Sequence, residues 1–212
     1  MTAPSIIVLA SGSGSNLQAL VGASAAGSLG ARVAAVVADR DCGALARAEA
    51  VGVVSIRLPL TPADRRDAEA RATHDRRLAK VIAVFDPALV VLAGWMLLLG
   101  RATLDRFPGR ILNVHPALLP DDAGPTVATS RGPLPALRGA HAVRDALRER
   151  LPVTGATIHH VIQTVDAGPV VLREEVPILP DDDELTLHTR IKSVEHRLLP
   201  QAVAKLLAEH RL

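Results

Sequence analysis

Short apolar runs recur through the first half of the chain, and each ends in a polar or glycine-containing stretch. Residues 5–10 (SIIVLA), 32–38 (RVAAVVA), 53–58, 88–93 (ALVVLA) and 110–114 (RILNV) are short, and several are apolar throughout. Such runs predict parallel strands covered on both faces, because an alternating pattern would mark a strand with one face in water. Between them, residues 16 to about 26, 44–50 and 61–85 carry helix-forming residues, with Thr61 the expected N-cap of the longest helix and Pro62 in its first turn. Strand and helix therefore alternate, which predicts a single α/β domain with a Rossmann-like open twisted sheet and helices on both faces.

The second half has a different texture. Residues 121–137 contain Pro125, Pro133 and Pro135 and no hydrophobic period, and are expected to form a loop. A helix is expected over 141–150, and two strands over 156–162 and 169–177 joined by a turn at 164–168. These strands make the C-terminal part of an otherwise mostly parallel sheet antiparallel. A closing helix is expected over 184–210, interrupted near Pro200. In that helix Leu187, Ile191, Val194 and Leu198 form an apolar stripe, and His188, Lys192 and Glu195 form a separate stripe beside it. No internal repeat or linker divides the chain.

Composition narrows the function classes. Of 212 residues 49% are apolar, enough for a globular core. The 24 basic and 22 acidic side chains leave a net charge of +2, with no basic block, so a nucleic-acid partner is not expected. Phe85, Phe107 and Trp95 are the only aromatics, too few for a surface that stacks bases. One cysteine, Cys42, excludes an internal disulfide. No run reaches the ~20 apolar residues of a membrane span, and the N-terminus lacks the basic lead of a signal peptide. A cytoplasmic protein with no membrane partner is the expectation.

Three places carry candidate chemistry. The first is the loop Ser11-Gly12-Ser13-Gly14-Ser15-Asn16 between a strand and a helix. Helix N-termini attract anions, and glycines let a ligand approach the backbone. Leu17 occupies the position of the third glycine of a dinucleotide fingerprint, and no Gly-Lys-Ser/Thr follows, so a monophosphate is the ligand it suits. An ordinary tight turn with good caps has the same composition. The second is Asn113 and His115, two apart at the end of a strand and so on one face. Imidazole moves protons near neutral pH, and an amide donates to an oxyanion; a buried structural histidine would read the same way. The third is Asp166 in the 164–168 turn. If it lies near His115, it should raise the histidine pKa. His159 and His160, adjacent on a strand, face opposite sides and do not make a metal pair, so no metal is expected.

Set together, these residues resemble a known family. The runs Val8-Leu9-Ala10-Ser11-Gly12-Ser13-Gly14-Ser15-Asn16-Leu17, Leu92-Ala93-Gly94-Trp95-Met96, Gly109-Arg110-Ile111-Leu112-Asn113-Val114-His115-Pro116, Thr154-Gly155-Ala156-Thr157-Ile158-His159, Val165-Asp166-Ala167-Gly168-Pro169 and Glu195-His196-Arg197-Leu198-Leu199-Pro200 occur in the order found in the phosphoribosylglycinamide formyltransferases, which belong to the folate-dependent formyltransferases. The resemblance covers nearly the whole chain. It implies a formyltransferase that uses 10-formyltetrahydrofolate as co-substrate and glycinamide ribonucleotide as acceptor in purine biosynthesis. Asn113, His115 and Asp166 match the catalytic trio. Gly14, Ser15, Asn16 and Leu17 match the phosphate site, and Lys192 and Glu195 the ribose site. Arg71, Met96, Leu97, Leu98, Leu99, Asn113, Val165 and Asp166 match the folate pocket, with His159 and Gly94 in support. On this reading residues 1–100 form the phosphate-binding half and 101–212 the catalytic and folate-binding half, in a monomer or homodimer.

Two departures stand out. Leu97 replaces a basic residue usual in the family, which shifts work on the folate tail to Arg71. An insertion of about 15 residues precedes Gly139-Ala140-His141, and it suits a lid, an interface element or neutral decoration. Formyltetrahydrofolate deformylase is the nearest alternative, but it carries an N-terminal regulatory domain, whereas the first strand here is expected to begin at Ser5. Methionyl-tRNA formyltransferase carries a C-terminal RNA-binding domain, which is not expected here. A non-catalytic nucleotide-monophosphate-binding protein would explain the Gly/Ser loop but not the trio.

Overall fold

The computed structural model describes residues 3–209. Its elements are β1 (Ser5–Ala10), α1 (Ser15–Ala25), β2 (Arg32–Ala38), α2 (Gly43–Ala50), β3 (Val54–Arg57), α3 (Ala68–Val84), β4 (Leu89–Leu92), α4 (Arg101–Leu104), β5 (Ile111–His115), β6 (Thr126–Thr129), β7 (Gly132–Pro135), α5 (Ala142–Arg148), β8 (Val153–His160), β9 (Val170–Pro177) and α6 (Glu184–Glu209). Strand order in the main sheet is β3-β2-β1-β4-β5-β8-β9, and β6 and β7 form a separate two-stranded sheet. The chain divides into two compact units. One comprises the segment up to Leu112 with that from Val203 onward; the other comprises Asn113–Ala202.

In the first unit β1 pairs in parallel with β2 and with β4, and β2 with β3. Every residue of β1 and β4 is buried, as is all of β2 but Arg32. This is the physical reason these strands read as unbroken apolar runs. The long helix begins later than its sequence suggests. Thr61 caps only a 3-10 turn over Asp64–Arg66, its hydroxyl accepting the Asp64 N–H at 3.1 Å. Asp67 then takes an extended conformation and its carboxylate caps α3 through the Ala70 N–H at 2.7 Å. A short helix that the sequence did not announce, α4, is held by the buried Asp75, which accepts from the N–H groups of Gly100 and Thr103.

In the second unit β8 and β9 pair antiparallel, as expected, although β8 starts at Val153, earlier than its apolar run suggests. Their register shifts between Ile158 and His159, a bulge of the kind that re-aims side chains beside a site. Thr157, fully buried, donates to the Ala117 carbonyl at 2.7 Å and accepts from the Leu119 N–H at 3.1 Å. It thereby holds the backbone that leaves β5.

Residues 121–137 are not a structureless loop. They contain the hairpin β6–β7, with Val127 opposite Leu134 and buried. Pro133 and Pro135 alternate along β7, so both stand at positions that owe no N–H to the ladder. Helix α6 is also continuous: Pro200 lies inside it rather than ending it.

Gly155 on β8 has no room for a side chain, because a Cβ there would run into the Glu174 carbonyl of β9 and into Leu118. Gly155→Ala should therefore lower stability by about 1–3 kcal/mol, the usual range for overpacking. Urea unfolding checks this, and a midpoint equal to wild type would show that the strands part without cost.

Candidate active site

Asn113, His115 and Asp166 lie in the second unit, and folding brings them together around His159. His115 is 3% exposed. Its Nε2 is 2.7 Å from the Leu137 carbonyl oxygen. A carbonyl only accepts, so Nε2 carries the proton and Nδ1 is the basic nitrogen. Nδ1 faces Asp166 Oδ2 at 3.5 Å. The Asn113 amide donates from Nδ2 to His159 Nε2 at 3.1 Å, while His159 Nδ1 donates to the His160 carbonyl at 2.9 Å. His159 Nε2 also lies 3.6 Å from Asp166 Oδ1. Of the two adjacent histidines, His159 is therefore the one that joins the site.

Asp166 sits at φ 50, in the left-handed region. Non-glycine residues are rare there and mark places where the surroundings fix the backbone. Gly168 seals the same turn, since a Cβ on it would collide with the His160 carbonyl. The Asp166 carboxylate accepts the Gly139 N–H at 2.7 Å, and its backbone carbonyl accepts from Arg138 Nε at 3.1 Å. Nothing in the sequence singled out Leu137 or Arg138, and Gly139 stood out only as the start of the Gly139-Ala140-His141 run.

Asp166 raises the His115 pKa, as expected of a neighbouring carboxylate, yet the net direction is downward. Burial strips water from the imidazolium, and this outweighs both the nearby carboxylate and the Leu137 carbonyl. For Asp166 burial alone would raise the pKa. The His159 and His115 rings and the Gly139 amide outweigh it, and bring the value down to about 2. At neutral pH the pair is a neutral imidazole beside a carboxylate.

Helix α6 carries the predicted Lys192 and Glu195 within the same unit. Leu187, Ile191 and Leu198 are buried as expected, whereas Val194 is only half-buried. Glu195, placed on a polar stripe by the sequence, is 4% exposed and shares the buried face. His188 and His196 both have lowered pKa values, from burial first and then from the Lys192 charge. His196 Nε2 is buried with no hydrogen-bond partner among the described residues. A histidine next to Glu195 reads from the sequence as an ordinary helix-surface residue, and this burial is a property of the fold. Val165 is exposed beside Asp166.

In the first unit the Gly/Ser loop leads into α1. Gly14 has φ 78, and a Cβ on it would lie 2.7 Å from Ala44 Cα, so both conformation and packing demand glycine. The N-terminus of α1 has no side-chain cap at Gly14 and no acidic residue in its first turn, which leaves the positive end of its dipole unneutralised. Ser15 is half-exposed, Asn16 buried, and Leu17 fully buried, so Leu17 offers a ligand only its backbone. Arg47 Nε donates to the Ser13 carbonyl at 2.9 Å, and the Ala44 N–H to the Gly12 carbonyl at 3.1 Å.

Ser11 joins this loop to the segment after β4. Its N–H donates to the Gly94 carbonyl at 3.0 Å, and its hydroxyl accepts the Met96 N–H at 3.1 Å. That hydroxyl also faces Asp39. Burial would raise the Asp39 pKa, but Arg40, Ser11 and Arg65 hold it below the usual carboxylate range. Met96 and Leu98 are 58% and 79% exposed, Leu97 and Leu99 half-buried, and Arg71 is exposed in the first turn of α3. Large apolar side chains left open after a parallel strand suit a flat organic ligand. Among the described residues no group of three or more His, Cys, Asp or Glu could hold a metal ion, and no helix is long and apolar enough to cross a membrane.

The lowered pKa values set a pH dependence. The unfolded chain binds a proton at His115 near the ordinary value of 6.5, while the folded chain resists until lower pH. Its stabilising contribution is therefore complete above 6.5 and lost as pH falls through the folded pKa. Asp166 adds a contribution present above 3.8 and lost as pH falls through about 2. Chemical denaturation at pH 7 and pH 5 should show wild type losing more stability than His115→Gln. The remaining loss in the variant belongs to groups such as His188 and His196. Equal losses would refute a buried neutral His115.

Comparison with known proteins gives the same assignment across the chain. A family model described as formyl transferase matches residues 5–203. The chain is 44% identical over 203 residues to the phosphoribosylglycinamide formyltransferase of Mycobacterium tuberculosis, covering 95% of this chain and 84% of that protein. It is 34% identical over 200 residues to the Escherichia coli protein of the same name, covering 94% of this chain and 85% of that one. The structure of glycinamide ribonucleotide transformylase 1 from Symbiobacterium toebii superimposes with a TM-score of 0.83 at 39% identity, covering 99% of this chain and 90% of that one. The chain belongs to the formyl transferase family.

Proposed function

We propose that this protein transfers the formyl group of 10-formyltetrahydrofolate to the amine of 5'-phosphoribosylglycinamide. The products are formylglycinamide ribonucleotide and tetrahydrofolate, and the step belongs to cytoplasmic purine biosynthesis. The observation that carries the reading is the buried His115–Asp166 pair beside Asn113, in a chain 44% identical to a phosphoribosylglycinamide formyltransferase.

The chemistry follows from the polarity of these groups. The substrate amine attacks the formyl carbon, a C–N bond forms, and the formyl oxygen becomes an oxyanion. One Asn113 N–H is used by His159; the other suits donation to that oxygen. His115 Nδ1 is neutral and basic, and takes the proton that the attacking nitrogen must shed. The imidazolium so formed is stabilised by the ionised Asp166 at 3.5 Å. The same proton then goes to N10 of the folate as the C–N bond to the donor breaks. Ser15, Asn16 and the backbone of Gly14 and Leu17 are assigned to the substrate phosphate, and Lys192 and Glu195 to its ribose. Met96, Leu97, Leu98, Leu99, Val165 and Arg71 are assigned to the folate. Leu97 contributes surface but no charge to the folate tail.

A steady-state assay with both substrates tests this, with water alone and with tRNA as alternative acceptors. Product should require the ribonucleotide, and His115→Ala should lower kcat by about 10²–10⁴-fold, the usual worth of a general base. Formate release independent of the amine, or a His115→Ala variant as active as wild type, would overturn the assignment.

A further inference from the structure

The hairpin β6–β7 ends where the catalytic residues begin, and its anchoring is unusually complete. At its tip the Ser130 N–H and hydroxyl donate to the two Glu175 carboxylate oxygens on β9, at 2.7 and 2.5 Å. Near its start Arg173 of β9 pairs with Asp121 at 3.0 Å and donates to the Leu119 carbonyl at 3.0 Å. Val127 is buried beneath it. Tethers at both ends and a buried underside describe a fixed element, not a lid.

Its exit strand delivers three consecutive residues to the site. Leu137 supplies the carbonyl that holds His115 Nε2–H, and Gly139, at φ 83, turns its N–H onto Asp166 Oδ2. Between them Arg138 bridges two segments: Nε donates to the Asp166 carbonyl at 3.1 Å, and Nη2 to the carbonyls of Ala123 and Gly124 at 3.0 and 2.8 Å. The planar guanidinium thus ties the base of the hairpin to the one catalytic residue whose backbone is in the left-handed region.

We propose that the inserted hairpin is a rigid strut for the catalytic pair, and that Arg138 is a positioning residue. It fixes the strained Asp166 turn, and with it the carboxylate, against His115. This rests on the reading of His115 and Asp166 as catalytic. Arg138 need not touch either substrate; it acts through Asp166. The charged and titratable groups that face His115 are Asp166 from the turn, His159 from β8 and Arg138 from the hairpin exit.

Arg138→Met and Arg138→Lys test it, each with a thermal melt to establish folding. For Arg138→Met, kcat should fall about 10–100-fold, the scale set by misplacement of a catalytic group by about 1 Å. KM for both substrates should stay within about threefold. Loss of the cation near His115 should also move the acid limb of kcat/KM to higher pH. Arg138→Lys keeps the charge but not the three-carbonyl fork. It should return the acid limb to its wild-type position while recovering only part of kcat. A Met variant with kcat within about twofold of wild type and an unmoved acid limb would overturn the proposal. If the Met variant does not fold, wild-type kcat in Arg138→Lys overturns it. If the wild-type protein does not formylate the ribonucleotide, the functional assignment fails separately. The strut is then judged on the unliganded protein by ring-nitrogen NMR of His115, where an unchanged titration midpoint in Arg138→Met counts against it, the wild-type midpoint being expected in Arg138→Lys.

Discussion

Burial of an imidazole beside an ionised carboxylate is the constraint on which the site depends. Left in water, His115 would be partly protonated near neutral pH, and Asp166 would favour that charged form. Enclosed, the ring loses the solvent that would stabilise its charge, and this loss is larger than the attraction of the carboxylate. The result is a base that is unprotonated when substrate arrives, with its counter-charge already in place for the moment it takes a proton. The Gly139 amide offsets the cost of burying the Asp166 carboxylate, and the neighbouring rings add to this once they carry a proton. The carboxylate thus belongs to the protonated state, although it is present throughout.

Much of the sheet was legible because its strands are buried on both faces, and burial writes itself as uninterrupted apolar residues. The runs at 5–10 and 32–38 coincide with β1 and β2 for this reason. Helix ends were less legible, since several residues near 61–67 can cap. Thr61 caps a 3-10 turn, and Asp67, extended, caps the helix. The hairpin escaped notice because its strands have four residues each and one contains two prolines. Those prolines are tolerated at alternate positions of a strand that has a single neighbour.

The site was legible as a list of residues more than as an arrangement. Asn113 and His115 share a strand, so their common face follows from alternation. Asp166 and His159 come from other elements, and no spacing announces their approach. The direction of the His115 shift was opposite to the one expected from charge alone, because enclosure is a property of the folded chain. The Leu137 carbonyl and the Gly139 amide were out of reach of any residue-type argument, since each contributes backbone. Glu195 shows the converse: its helical spacing put it with polar neighbours, while packing buried it.

The tautomer of a single ring decides between this account and its alternatives. Ring-nitrogen NMR of selectively labelled histidine, followed through a pH titration, reads it directly. The account predicts that His115 is neutral at pH 7, carries its proton on Nε2, and titrates below 6.5. A His115 that is an imidazolium at pH 7, or a neutral ring protonated on Nδ1, would contradict it.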